Sequence, residues 1–144
     1  MMAASAPPGP TPPLPVVVDA SVWVARYVPT DAFHAASTSW LTARVRARRT
    51  LISPALLLPE LAGSVARVLN DTALGLRVAR STARLSRVRL VPVDAALAGS
   101  AYRLAATRRL RGADAVYAAL AQRLGLRLVS WDGEQIARAG AVTP

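Results

Sequence analysis

This sequence predicts an α/β fold built on a parallel sheet, and three observations carry the prediction. Short, β-rich apolar runs alternate with longer stretches of helical periodicity. No hairpin signal joins two of the runs. Several runs end on an aspartate, and in parallel sheets sites form beyond the carboxyl ends of the strands.

The elements follow in chain order. Residues 1–15 hold six of the eleven prolines and no charged side chain, so they read as a disordered or polyproline-like leader ahead of a single domain over 16–144. Residues 16–18 are a strand ending at Asp19, and 21–27 are a brief helix. Thr30 is placed to cap a helix over 31–48, with Phe33, Ala36, Trp40 and Ala43 on one face. Residues 50–52 are a strand. Ser53 then reads as a cap and Pro54 as the first position of a helix reaching 69, which Pro59 must kink or restart. A helix over 71–88 and a strand over 90–93 follow, the strand ending at Asp94. Residues 95–109 are helical, Gly112 breaks the chain, and 113–124 are helical up to Gly125. The strand over 126–130 runs into Trp131 and Asp132, and a short helix closes the chain.

Composition narrows the chemistry. At 144 residues and 53% hydrophobic, the chain is long enough for one cored domain. With no cysteine it has no disulfide, thiolate metal site or cysteine nucleophile, and one histidine, His34, excludes a multi-histidine metal site. His34, beside Phe33 on a helix, reads as structural. No stretch free of charge or proline reaches the length of a membrane span, and nothing resembles a signal peptide, so a soluble, cytoplasmic protein is expected. Eighteen basic residues, all arginine, face eight acidic ones for a net charge of +10. Such an excess favours a polyanionic partner, although GC-rich coding produces the same bias. Arg77, Arg80, Arg84 and Arg87 fall on one face of a helix, and Arg44, Arg46, Arg48 and Arg49 cluster at a helix end. Both groups read either as phosphate contacts or as solvated surface.

Only eight carboxylates exist, so each can be weighed. Asp19 and Asp132 follow strands, Asp114 opens a helix after Gly112, and Glu60 interrupts an apolar helical run. Each has a purely structural alternative: a cap for Asp19, a helix-dipole partner for Asp114, a turn for Asp132 and a solvated helix position for Glu60. Asp31, Asp71 and Asp94 stand at helix starts, with Asp94 a rival site residue because it also ends a strand. Glu134 competes with Asp132. Gathering several carboxylates is unfavourable unless a cation neutralises them, and hard oxygen ligands point to Mg²⁺ or Mn²⁺.

The local wording resembles a known family. Val16-Val17-Val18-Asp19-Ala20-Ser21 resembles the opening of PIN-domain nucleases: an apolar strand, an aspartate and a small hydroxyl residue. The segment from Asp31 to Leu41 is similar to the helix that follows in bacterial and archaeal members. Pro54 to Arg67, with Glu60 inside, is similar to the second acidic segment. Arg111-Gly112-Ala113-Asp114-Ala115-Val116-Tyr117 resembles the third, in which a tyrosine follows the aspartate by three residues, and Leu128-Val129-Ser130-Trp131-Asp132 resembles the fourth. Two features depart from the pattern: the proline-rich leader, and Pro59 directly before Glu60.

The resemblance implies a three-layer α/β/α fold with a central parallel sheet. It implies an endoribonuclease dependent on Mg²⁺ or Mn²⁺, of the VapC toxin type, with an RNA substrate, a cognate antitoxin protein as partner and a homodimeric state. Carried over residue by residue, Asp19 and Asp114 become the principal metal ligands. Glu60 and Asp132 complete the catalytic set, and Ser21, Arg111 and Ser130 are candidates for supporting the site or touching substrate. A PIN nuclease of RNA maturation and a non-catalytic basic RNA-binding module are the rival readings. A receiver-like domain is disfavoured because its site resembles one that needs a lysine.

Overall fold

A computed structural model describes residues 13–144, so the leader expected over residues 1–15 lies outside the described residues up to position 12. The described chain runs β1 (Val16–Val18), α1 (Ala20–Tyr27), α2 (His34–Arg46), β2 (Leu51–Pro54), α3 (Leu57–Leu69), α4 (Thr72–Ala83), β3 (Val88–Val91), α5 (Ala95–Arg108), α6 (Gly112–Leu124), β4 (Leu128–Val129) and α7 (Gly133–Ala139). The four strands form a parallel sheet in the order β3-β2-β1-β4.

That order has a physical consequence. The chain moves outward from β1 through β2 to β3, then returns to lay β4 on the other side of β1. With right-handed crossovers, the reversal puts the helices of the first two connections on one face and α5 and α6 on the other. In agreement, α1 packs on α2 and α3, whereas α6 packs on β1, β2 and α5. β1 and β4 therefore flank the switch point, where the carboxyl ends of the strands leave a crevice. Past its own end, β1 stays tied to β4, because the Asp19 N–H donates to the Val129 carbonyl at 2.9 Å. On its outer side β4 meets the C-terminal tail through a parallel bridge from Val129 to Val142.

The core is what these sequences demand. β1, with helices on both sides, is all valine and fully enclosed. Leu57, Leu61 and Val65 recur every four residues on α3 and are fully buried, each contributing roughly 1.5–3 kcal/mol of transfer free energy. On α6, a run from Ala115 through Ala121 is buried save for Val116, and the alanines let the helix lie close to the sheet.

Several local expectations are corrected. α2 begins at His34, not at 31, because the Asp31 side chain accepts the Phe33 N–H at 2.8 Å and holds the chain in a turn. Its buried residues are Ser37 and Leu41; Phe33, Ala36 and Ala43 are exposed, and half-buried Trp40 lies under the Arg44 guanidinium. Ser53 and Pro54 extend β2 instead of opening a helix. Proline is tolerated there because Leu51 and Ala55 donate on the β3 side while the Pro54 nitrogen faces β1, whose pairing with β2 ends at Ile52, and the Ser53 hydroxyl donates to the Val18 carbonyl. Pro59 falls in the first turn of α3, where its missing N–H has no intrahelical partner, so the helix is not broken. α4 stops at Ala83, so Arg84 and Arg87 leave the helix and the expected four-arginine face reduces to Arg77 and Arg80. β3 starts at Val88, earlier than expected.

α3 and α4 pack very closely at Gly75, where an added Cβ meets the Ala62 carbonyl oxygen at 2.5 Å and the Ala66 Cβ at 2.9 Å. Gly75→Ala is expected to destabilise the protein by about 1–3 kcal/mol through overpacking, read by denaturant unfolding.

Candidate active site

Four helices aim their N-termini at the crevice. Asp19 caps α1, Glu60 and Asp114 lie in the first turns of α3 and α6, and Asp132 caps α7. Each carboxylate thus sits at the positive end of a helix dipole, a favourable place for negative charge. The structural and functional alternatives for these residues are one arrangement: the positions that cap and charge the helices also bring the acids together. All four line a cleft of about 400 Å³, with Ser21, Asp31, Phe33, Ser64 and Trp131 among its other walls. Two other hollows, of about 450 and 500 Å³, have no aspartate or glutamate in their walls.

Asp19 lies deepest, at 4% exposure. Its Oδ2 accepts the Ser21 N–H at 3.2 Å and the Ser130 hydroxyl at 2.9 Å; its Oδ1 accepts from Gln135 Nε2 at 2.9 Å. Burial pushes its pKa up, while the hydrogen bonds from Ser21 and Ser130 pull the other way. Glu60 is raised to about 7, first by burial and then by the charges of Asp19 and Asp114. Its Oε1 is buried without a hydrogen-bond partner among the described residues. Asp114 is raised to about 6 by burial and by Asp19 and Asp132, against a lowering pull from Arg111. Asp132 accepts the Gln135 N–H at 2.9 Å.

Gln135 was not legible as a site residue. Fully buried, it sends Nε2 to Asp19 Oδ1 and, at 3.5 Å, to Asp114 Oδ1. The partially positive amide stands between two carboxylates that repel one another. The only sequence signal was a glutamine three residues after the capping Asp132, which ordinarily suggests a capping box folding back on its own helix.

The remaining candidates divide. Ser21 lines the cleft, and its hydroxyl accepts the Trp131 N–H at 3.0 Å. Ser130, a candidate for supporting the site or touching substrate, is fully buried with its hydroxyl given to Asp19, which is the supporting position. Arg111 is exposed at the head of α6 and reaches the site through its charge. Asp94 caps α5 and does not border the cleft. Glu134 pairs with Arg138 at 3.7 Å, the only ion pair among the described residues. His34 is structural: its Nδ1 donates to the Ala25 carbonyl at 2.9 Å.

The donor set fits a hard divalent cation: carboxylates only, three of them with raised pKa values, and one buried carboxylate oxygen without a partner. As the side chains stand, no group of three or more acidic or histidine residues among the described residues is arranged to hold a metal ion. Gln135 Nε2 lies within hydrogen-bond reach of both Asp19 and Asp114.

A cleft walled by carboxylates, at the switch point of a parallel sheet, defines the class: an α/β protein whose site is acidic. The chain belongs to the PIN domain family, whose model matches residues 16–142. Solved structures share the fold. One is VapC20 of Mycobacterium tuberculosis, described as a toxin that cleaves the sarcin–ricin loop. It is 24% identical, with 90% of this chain and 98% of that one covered, at a TM-score of 0.68. Another is VapBC2 from Rickettsia felis, bound to a DNA fragment from its promoter. It is 12% identical, with coverages of 91% and 98%, at a TM-score of 0.62. No curated protein sequence matches the chain significantly. No helix among the described residues is long and apolar enough to cross a membrane.

Two expectations follow. An acid whose pKa is raised on folding favours the native state while protonated and opposes it once ionised. Glu60 and Asp114 start from 4.5 and 3.8 and rise to about 7 and about 6. Without divalent ions, stability should therefore fall as pH rises from about 4 through 7, and Glu60→Gln should flatten that fall in thermal melts. Gln135→Ala leaves Asp19 Oδ1 without its donor and should cost about 1–3 kcal/mol in denaturant unfolding.

Proposed function

We propose that the protein is a metal-dependent endoribonuclease, hydrolysing RNA phosphodiester bonds, and the toxin of a toxin–antitoxin pair. The observation that carries this reading is the convergence of Asp19, Glu60, Asp114 and Asp132 in one cleft of a PIN domain. The likeness to VapC20, named a toxin, and to VapBC2 supports the toxin assignment; an antitoxin partner, a cytoplasmic setting and a homodimeric state belong to the same reading.

In this reading Asp19 and Asp114 are the principal ligands of Mg²⁺ or Mn²⁺, and Glu60 and Asp132 complete the shell or orient the attacking water. When bound, the cation lowers the pKa of water and screens the charge that develops on the phosphate. Ser130 and the Ser21 N–H hold Asp19 in place, so the ligand does not have to be ordered when the cation arrives. Arg111, exposed beside Asp114, is the arginine best placed to meet a substrate phosphate. Hydrolysis adds the elements of water across the P–O bond: oxygen to phosphorus, a proton to the departing ribose oxygen.

Purified protein incubated with total RNA should cleave it with Mg²⁺ or Mn²⁺ and not with EDTA. Asp19→Asn and Asp114→Asn should each drop cleavage to background while far-UV circular dichroism stays unchanged. Cleavage that persists in EDTA, or full activity in both variants, overturns the reading. RNA binding without cation-dependent cleavage instead identifies a basic binding module, the alternative that the net charge of +10 favours.

A further inference from the structure

We propose that Phe33 and Trp131 form a nucleobase-binding platform on the rim of the acidic cleft, seating a base of the RNA strand beside the carboxylates. This rests on the endoribonuclease reading and names a binding subsite for that substrate. The two rings are stacked, with centroids 4.2 Å apart and planes 7° from parallel. Both residues wall the cleft that holds Asp19, Glu60 and Asp114.

The pair is held firmly from below. The Trp131 ring N–H donates to the buried Ser37 hydroxyl at 2.8 Å, and its backbone N–H to Ser21 Oγ at 3.0 Å. Phe33 is fixed through its backbone, which donates to Asp31 Oδ1 at 2.8 Å, and through its neighbour His34, tied to the Ala25 carbonyl. Trp131 covers one side of Phe33, yet the residue remains 42% exposed. A large apolar ring, pre-oriented and open to water at a site mouth, presents a surface that another flat ring covers favourably. Electrostatics give it a task. The carboxylates of the cleft repel a phosphate backbone, so an uncharged contact at the rim adds affinity that their charge does not oppose. Stacking supplies one, worth about 1–3 kcal/mol per base and tolerant of sequence.

The test uses fluorescence anisotropy with a labelled, mixed-sequence, single-stranded RNA of ten nucleotides and an abasic ribose-phosphate strand of equal length. Binding is measured in the full chain carrying Asp19→Asn to prevent cleavage, with Mg²⁺ present. Adding Phe33→Ala should weaken RNA binding about 5- to 100-fold. Phe33→Leu should weaken it similarly, Phe33→Trp should preserve it, and the abasic strand should bind all four proteins alike. Equal RNA binding by the Phe and Ala forms, equal losses on the abasic strand, or full binding by the Leu form overturns the platform. Cleavage by the Asp19 protein is assayed in parallel. If cleavage stands while the Phe33 variants bind RNA alike, the platform alone falls. If Phe33-dependent binding appears without cleavage, the nuclease reading alone falls. If the protein neither binds nor cleaves RNA, both fall.

Discussion

Crowding of negative charge at one end of the sheet is the constraint around which the rest is arranged. Asp19, Glu60, Asp114 and Asp132 face a cleft of about 400 Å³, and burial and neighbouring carboxylates raise the pKa of the first three. The fold tolerates this because every one of the four stands at a helix N-terminus and because the Gln135 amide lies between Asp19 and Asp114. These devices moderate the repulsion without abolishing it. What remains is a standing preference for positive charge, which is the physical content of a cation site.

The outside of the molecule has the opposite character. Eighteen arginines give the chain a net charge of +10, and among the described residues only Arg138 is paired with a carboxylate. A polyanion is therefore drawn toward the surface and resisted at the centre. A cation neutralising the acids would reconcile the two tendencies.

The sheet and its acids were legible because they depend on short-range rules. The valine run ending at Asp19, and the glycine-led helix of Asp114, announce their places through apolar periodicity and capping chemistry. The boundaries that slipped were decided by contacts distant in sequence. Ser53 and Pro54 look like a helix start until β3 is present to pair with them. The Phe33 stripe looks like a core face until the Asp31 side chain holds that turn open and Trp131, about a hundred residues on, covers the ring. Gln135 escaped for the same reason: its partners, Asp19 and Asp114, lie 116 and 21 residues away. The arginine stripe failed at a helix end, since α4 stops before its last two members.

β4 has just two residues, and the tail segment at Val142 is its outer neighbour. Ser130 donates its N–H to the Val142 carbonyl, and Val142 donates in turn to Leu128. The tail thus acts as a buttress for the strand that delivers Ser130 to Asp19 and sets Trp131 and Asp132 in the wall of the cleft. Whatever pulls on or peels away those last few residues reaches the carboxylates by leverage, without touching any of them.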